Sequence, residues 1–289
     1  MIDFTNCKEI VSTYAGSEKK KKIIYEGNAY LLKFPDPVRE KNSSLSYMNN
    51  QFSEYIGCHI IESLGLSVQE TILGTYKDGE KNKVVVACKD FTDNNNQLIE
   101  FTKLANSVTA IDNIFKCRIE DVYLVIKNNN LITNKEEIIK DFWNLFVADA
   151  LIGNPDRHLD NWGLLYNFTN NSYIFSPIYD CGSCLHALLS NEKKEFLLSN
   201  KTEMKNVAYN VRSAYSINDK RIFYSSIFKN PPLDLKDAIL RISPKINLNT
   251  INDIIDSTPG ISELDKKFFK ESIRIRKELI IDKAITSSL

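Results

Sequence analysis

Apolar and polar positions change rhythm near residue 90. Before it, IIYEGNAYLLKF (23–34) sets two apolar runs around a Gly-Asn turn, which predicts a β-hairpin. In the second arm Tyr30, Leu32 and Phe34 alternate with Leu31 and Lys33, so a period of two puts Lys33 on the opposite sheet face from Leu32 and Phe34. TILGTYKDGEKNKVVVACKDF (71–91) repeats the pattern, with Lys-Asp-Gly-Glu as its turn. Between the hairpins the spacing predicts one helix over 50–65. Asn50 is its N-cap, Gly65 its stop, and Phe52, Tyr55, Ile56, His59, Ile60 and Leu64 fall at helical spacing.

Beyond Phe91 the pattern is mostly helical. A polar loop, DNNNQ (93–97), leads to helices over 98–106 and 107–116, then to a nearly all-apolar helix over 136–153 that reads as central. WGLLY (162–166) and YIFSP (173–177) form a short strand pair, and helices follow over 188–200, 201–212, 233–242, 250–257 and 262–284. The whole predicts an α+β fold of two lobes. A small β-rich lobe with one helix spans 1–90, a larger helical lobe spans 91–289, and the hinge lies near 86–92. Clefts between lobes are favoured ligand sites.

Composition narrows the partners. The 289 residues are 43% hydrophobic, and 37 Lys plus Arg balance 37 Asp plus Glu, so no bulk field favours nucleic acid or an anionic membrane. The basic run KKKK (19–22) reads as a solvated loop outside any wider context. The start, MIDFTNCKEIVSTYAG, lacks a signal peptide's basic and apolar regions, and no apolar stretch approaches the roughly 20 residues of a membrane helix. A soluble, cytoplasmic protein is the expectation, with export by a non-classical route left open. The six cysteines are scattered and read as reduced thiols. Cys181, Cys184 and His186 in CGSCLH could open a zinc site, but structural zinc usually takes a second close pair and no other C-x2-C occurs.

The chemistry concentrates in DALIGNPDRHLDNWG (149–163), where an apolar helix ends and Asp156, Arg157, His158, Asp160 and Asn161 crowd together. Phosphoryl transfer needs a carboxylate for the hydroxyl proton, oxygen ligands for Mg²⁺ and a cation on the phosphates. Asp156, Asn161 and Asp180 supply the oxygens in the order that protein kinases use, and Lys33 on its strand supplies the cation. Glu54, on the single helix of the first lobe, could pair with Lys33. TYAGSEKKKKII (13–24) could turn backbone N–H groups toward phosphate, and VVVACKDF (84–91) would offer its backbone to adenine.

These stretches resemble the HipA-like serine/threonine kinases, a bacterial family of kinase-fold proteins. DALIGNPDRHLDNWG is similar to the family's catalytic loop, SPIYDCGSCL (176–185) to its metal-binding segment, and TYAGSEKK to its phosphate loop. FSEYIGCHIIESLGLSVQETILG (52–74) and VVVACKDF look most like its compact CtkA-type members. The resemblance covers most of residues 1–200.

It implies Asp156 as catalytic base, Asn161 and Asp180 as Mg²⁺ ligands, and Lys33 on the phosphates of ATP. Gly16, Ser17, Glu18 and Lys19 would line the phosphate loop, Cys88 and Asp90 the hinge, and His158 would support the catalytic loop. Family members commonly phosphorylate their own phosphate loop, which makes Ser12, Thr13, Tyr14 and Ser17 candidate sites. The protein substrate is open: the chain itself, a translation factor or a host protein. Longer members carry an additional amino-terminal segment that contributes to partner contacts, and its absence here weakens the expectation of an antitoxin-like partner. The competing readings are a pseudokinase that binds nucleotide without transfer, a kinase toxin, and transfer to a lipid or small molecule.

Overall fold

The computed structural model describes residues 1–11, 20–35, 49–108 and 117–286. Strands β1 (Ile2–Asp3), β2 (Lys8–Ile10), β3 (Lys20–Tyr25) and β4 (Asn28–Lys33) precede helix α1 (Asn50–Ser63), and β5 (Thr71–Asp78) and β6 (Lys81–Lys89) follow it. They form one sheet in the order β1-β5-β6-β4-β3-β2, antiparallel except for β1 on β5. The β3–β4 turn is one residue earlier than its sequence signal. Glu26 and Gly27 take the left-handed conformation (φ 47° and 76°), and Asn28 already pairs with Tyr25. That is the backbone twist a two-residue hairpin favours.

Strand alternation divides the sheet's side chains as expected. Phe4, Ile23, Tyr30, Leu32, Phe34, Tyr76, Val85 and Ala87 form a separate apolar cluster on one face. On the other, Leu73, Val86 and Cys88 join the main core with Phe52, Ile56 and Ile60 of α1. Lys33 pairs with Val86 in register and therefore emerges on the α1 side.

The second lobe holds the larger part of the core. Its first strand, β7 (Asn96–Glu100), replaces the expected loop and helix start, because Leu98 and Ile99 pair with Leu165 and Leu164 of β8 (Gly163–Asn167). β9 (Ser172–Phe175) completes this small sheet. Helix α2 (Phe101–Val108) follows β7. The helix expected over 107–116 lies outside the described residues after Val108, and α3 (Ile119–Asn128) was not foreseen at all. Helix α4 (Lys135–Ile152) is buried along almost its whole length, with Phe142 packed against Trp143, Trp162 and Tyr215.

Helices α5 (Asn191–Ser199) and α6 (Lys201–Tyr209) stop short of the expected range. Residues Arg212–Ile217 and Lys220–Phe223 instead form the β10–β11 hairpin, turned by Asn218-Asp219 with both φ values positive. Helices α7 (Tyr224–Ile227), α8 (Leu233–Ile242), α9 (Leu248–Ser257), α10 (Glu263–Arg276) and α11 (Asp282–Thr286) complete the chain, with a π-helical turn at Lys277–Ile281. Among the described residues no helix is long and apolar enough to cross a membrane.

Candidate active site

Lys33 ends β4 with its ammonium between two carboxylates. Nζ lies 3.0 Å from Glu54 Oε2 and 2.7 Å from Asp180 Oδ1. Burial alone would lower the Lys33 pKa, but Asp180 and Glu54 reverse that and hold the ammonium well above its usual range. Glu54 is fixed by α1 and buried, and its Oε1 has no hydrogen-bond partner among the described residues. Asp180 adopts φ 59°, a left-handed conformation that Asp tolerates better than most residues. Burial would raise its carboxyl, yet Lys33 overrides burial and holds it at about 2.

A backbone bridge brings Asp180 to this point. Ile178 N donates to Ser67 O at 2.9 Å, and Gln69 N donates to Ile178 O at 2.8 Å. The segment after α1 therefore grips the chain two residues before Asp180.

The loop after α4 starts at Gly153, whose φ of 67° closes the helix. Asn154 then turns the chain. Its Nδ2 donates to Asp149 Oδ1 at 3.2 Å, and its Oδ1 accepts from Asp156 N at 3.1 Å. The Asp156 side chain is 55% exposed, and its Oδ2 accepts from Ser183 Oγ at 3.4 Å. Asn161 Nδ2 donates to Asp156 O at 2.8 Å, which directs the amide oxygen away from that carbonyl. His158 Nδ1 lies 3.2 Å from Asp160 Oδ2, and its Nε2 is 4.0 Å from Asp156 Oδ1. The imidazole thus sits among the loop's own acids.

Two residues to which the sequence reading gives no role, Arg157 and Asp149, hold this loop to the rest. Arg157 is buried; its Nε and NH2 donate to Asp149 Oδ2 and Oδ1 at 3.0 and 3.1 Å. Its NH1 donates to Asn161 O at 2.7 Å and also to Tyr179 O, next to Asp180. One guanidinium ties α4, the Asp156–Asn161 loop and the Asp180 segment together. Asp149 could have been noticed as a lone carboxylate in an otherwise apolar helix end, which demands a buried cation. Burial still raises its carboxyl, with Arg157 acting against the rise.

The remaining candidates fall differently. Cys88 lies inside β6, paired with Thr71 on one side and Leu31 on the other, and burial pushes its thiol up. Asp90 is the first residue after β6; its carboxylate pairs with Lys22 at 2.7 Å and accepts from Thr92 Oγ1 at 2.6 Å. Gly16, Ser17, Glu18 and Lys19, together with Ser12, Thr13 and Tyr14, lie outside the described residues. The zinc set is committed elsewhere: Arg157 NH2 meets Cys181 Sγ, Cys184 Sγ donates to Ser53 O, and His186 Nε2 meets Arg276 NH2 at 2.6 Å.

As a metal site, Asn161 and Asp180 offer one amide and one carboxylate oxygen. That partial donor set suits Mg²⁺, which takes few protein oxygens and completes its shell with phosphate and water. A buried cation between two carboxylates can bind and polarise a polyphosphate.

Comparisons with known proteins place the chain in a family. The model of the HipA-like C-terminal domain matches residues 12–230. Over its full length the chain is 41% identical to the serine/threonine-protein kinase CtkA of Helicobacter pylori strain J99, covering 89% of that protein. It superposes on the crystal structure of a Helicobacter pylori proinflammatory kinase CtkA with a TM-score of 0.90 at 40% identity, covering 100% of this chain and 99% of that one. HipA of Shewanella oneidensis MR-1, solved with HipB and operator DNA, matches with a TM-score of 0.59 over 97% of this chain and 68% of its own. At 16% identity that likeness speaks for the two-lobed fold alone. The chain belongs to the HipA-like C-terminal domain family and is a kinase.

Proposed function

We propose that the chain transfers the γ-phosphate of ATP to a serine or threonine hydroxyl of a protein. The observation that carries this reading is Lys33 fixed between Glu54 and Asp180 beside the Asp156 loop. Residues 1–90 would hold the nucleotide, with Cys88 and Asp90 near its base, and residues 91–289 would present the acceptor. Asp156 orients the incoming hydroxyl and takes its proton as oxygen bonds to the γ-phosphorus and ADP leaves. Lys33 offsets charge on the phosphates and is kept in place by Glu54. Mg²⁺, held by Asn161 and Asp180, would neutralise phosphate oxygens. His158 and Arg157 keep the loop in shape, and the relative's name supports serine and threonine as acceptors.

Transfer to the chain's own phosphate loop, at Ser12, Thr13, Tyr14 or Ser17, is the regulatory part of this proposal. An antitoxin-like partner is a separate reading, supported only by the fold-level likeness to HipA. The test is radiolabel transfer from ATP with Mg²⁺, to the chain itself and to a protein panel, in wild type, Asp156→Asn and Asp180→Ala. Labelling by wild type alone supports the proposal. Equal labelling by all three removes these roles, and ATP binding without labelling leaves a nucleotide-dependent binding module.

A further inference from the structure

We infer that α10 clamps the amino terminus of α1, so that Asp265 and Asn49 are positioning residues for the Glu54–Lys33 pair. This rests on the kinase reading above and adds a means of control to the same site.

Asn49 precedes the first residue of α1, yet its side chain makes no capping bond to that helix. It is buried, and its Nδ2 donates instead to Asp265 Oδ1 at 2.8 Å, 216 positions along the chain. The same oxygen accepts from the buried Lys194 Nζ at 2.6 Å. Asp265 Oδ2 accepts from Ser262 Oγ at 2.6 Å, and Asp265 N donates back to Ser262 Oγ at 3.1 Å. Asp265 is thus held by its own helix start, where the macrodipole favours a carboxylate, and by a buried cation. It is a fixed post, and Asn49 is tied to it.

The tie acts on the helix that carries Glu54. Ser53 N donates to Asn49 O at 2.7 Å, so the tethered residue belongs to the first turn's hydrogen bonding. Glu54 stands five residues after Asn49, about 7.5 Å along the helix at its rise of about 1.5 Å per residue. Gly260, between α9 and α10, has Phe52 of α1 close by: an added Cβ would stand 3.8 Å from its ring. The matched family region ends at residue 230, so Asp265 and both of these helices lie beyond it. A segment with no group in the reaction therefore sets where α1 begins, and through α1 where Glu54 stands.

Asn49→Ala is the informative variant, since it cuts the tie and leaves the Lys194–Asp265 and Ser262–Asp265 bonds in place. We would measure kcat and KM for ATP in wild type, Asn49→Ala, Glu54→Gln and the double variant. A buried hydrogen bond to a charged acceptor shifts a two-state population about tenfold. The expected result is a kcat loss of about tenfold for Asn49→Ala in the wild-type background and no further loss in Glu54→Gln. Equal fold losses in both backgrounds, or none in wild type, would overturn the clamp. Hydrogen exchange on nucleotide-free protein gives a second reading. Amides 50–58 should exchange faster in Asn49→Ala while those of α4 do not, and unchanged exchange in α1 would also overturn it. A wild type without phosphoryl transfer would remove the kinase reading, and the exchange comparison would still decide the clamp.

Discussion

Arg157 is buried; its Nε and NH2 share the Asp149 carboxylate, while NH1 holds the carbonyls of Asn161 and Tyr179. Removing it would leave Asp149 buried and unpaired. Arg157→Ala is therefore expected to lower stability by about 3–5 kcal/mol, read as a reduced urea midpoint. Arg157→Lys should recover only part, because a point charge cannot reach Asp149, Asn161 and Tyr179 at once. Asp156→Asn should behave in the opposite way. Its carboxylate is 55% exposed, so the melting temperature should hold while turnover falls by about 10²–10⁴.

Asp180 gives a pH prediction. Its folded carboxyl sits at about 2 against an ordinary 3.8, so its contribution to stability is present above pH 3.8 and lost as pH falls through about 2. A carboxyl NMR titration should show that depressed midpoint in wild type. In Lys33→Met it should move upward, since burial would no longer be opposed by the ammonium.

Among the elements, those with strong internal period were legible and those defined by a partner were not. The expected helix at 233–242 coincides with α8, and the two hairpins of the first sheet are where expected, the β3–β4 turn displaced by one residue. β7 was read as loop and helix because Asn96 and Gln97 mask a strand that exists only against β8. The β10–β11 hairpin did carry a signal, the Asn218-Asp219 turn, but the sequence reading gives no element between 212 and 233. Gly153 and Gly27 offer an element-scale test. Both have positive φ, but an added Cβ meets Arg276 Cζ at 2.4 Å from Gly153 and nothing within 4 Å from Gly27. Gly27→Ala should cost about 1–2 kcal/mol, the left-handed strain alone. Gly153→Ala should cost clearly more, measured by the same denaturant titration, because it also displaces a buried guanidinium.

At the scale of the molecule, the two lobes meet at Lys33, Glu54 and Asp180, so a ligand on these groups should stabilise the whole chain. ATP with Mg²⁺ at about a hundred times its Kd should add about 2.7 kcal/mol, seen as a raised melting temperature. Chelation should remove the metal-dependent part, and Lys33→Met should lose most of the ATP response.

What the residues determined alone was local: the period that sent Lys33 to the α1 face, the turn signals, and the close spacing of Asp156 and Asn161 in one loop. These follow from contacts within a few positions, where backbone geometry leaves little choice. Tertiary structure decided the rest. Lys33 meets Asp180 across 147 positions, Arg157 gathers three segments, and Asn49 reaches Asp265 on the far end of the chain. Such pairings are chosen by which apolar faces can be buried together and which buried charges must then be neutralised. No stretch of sequence contains both halves of that condition.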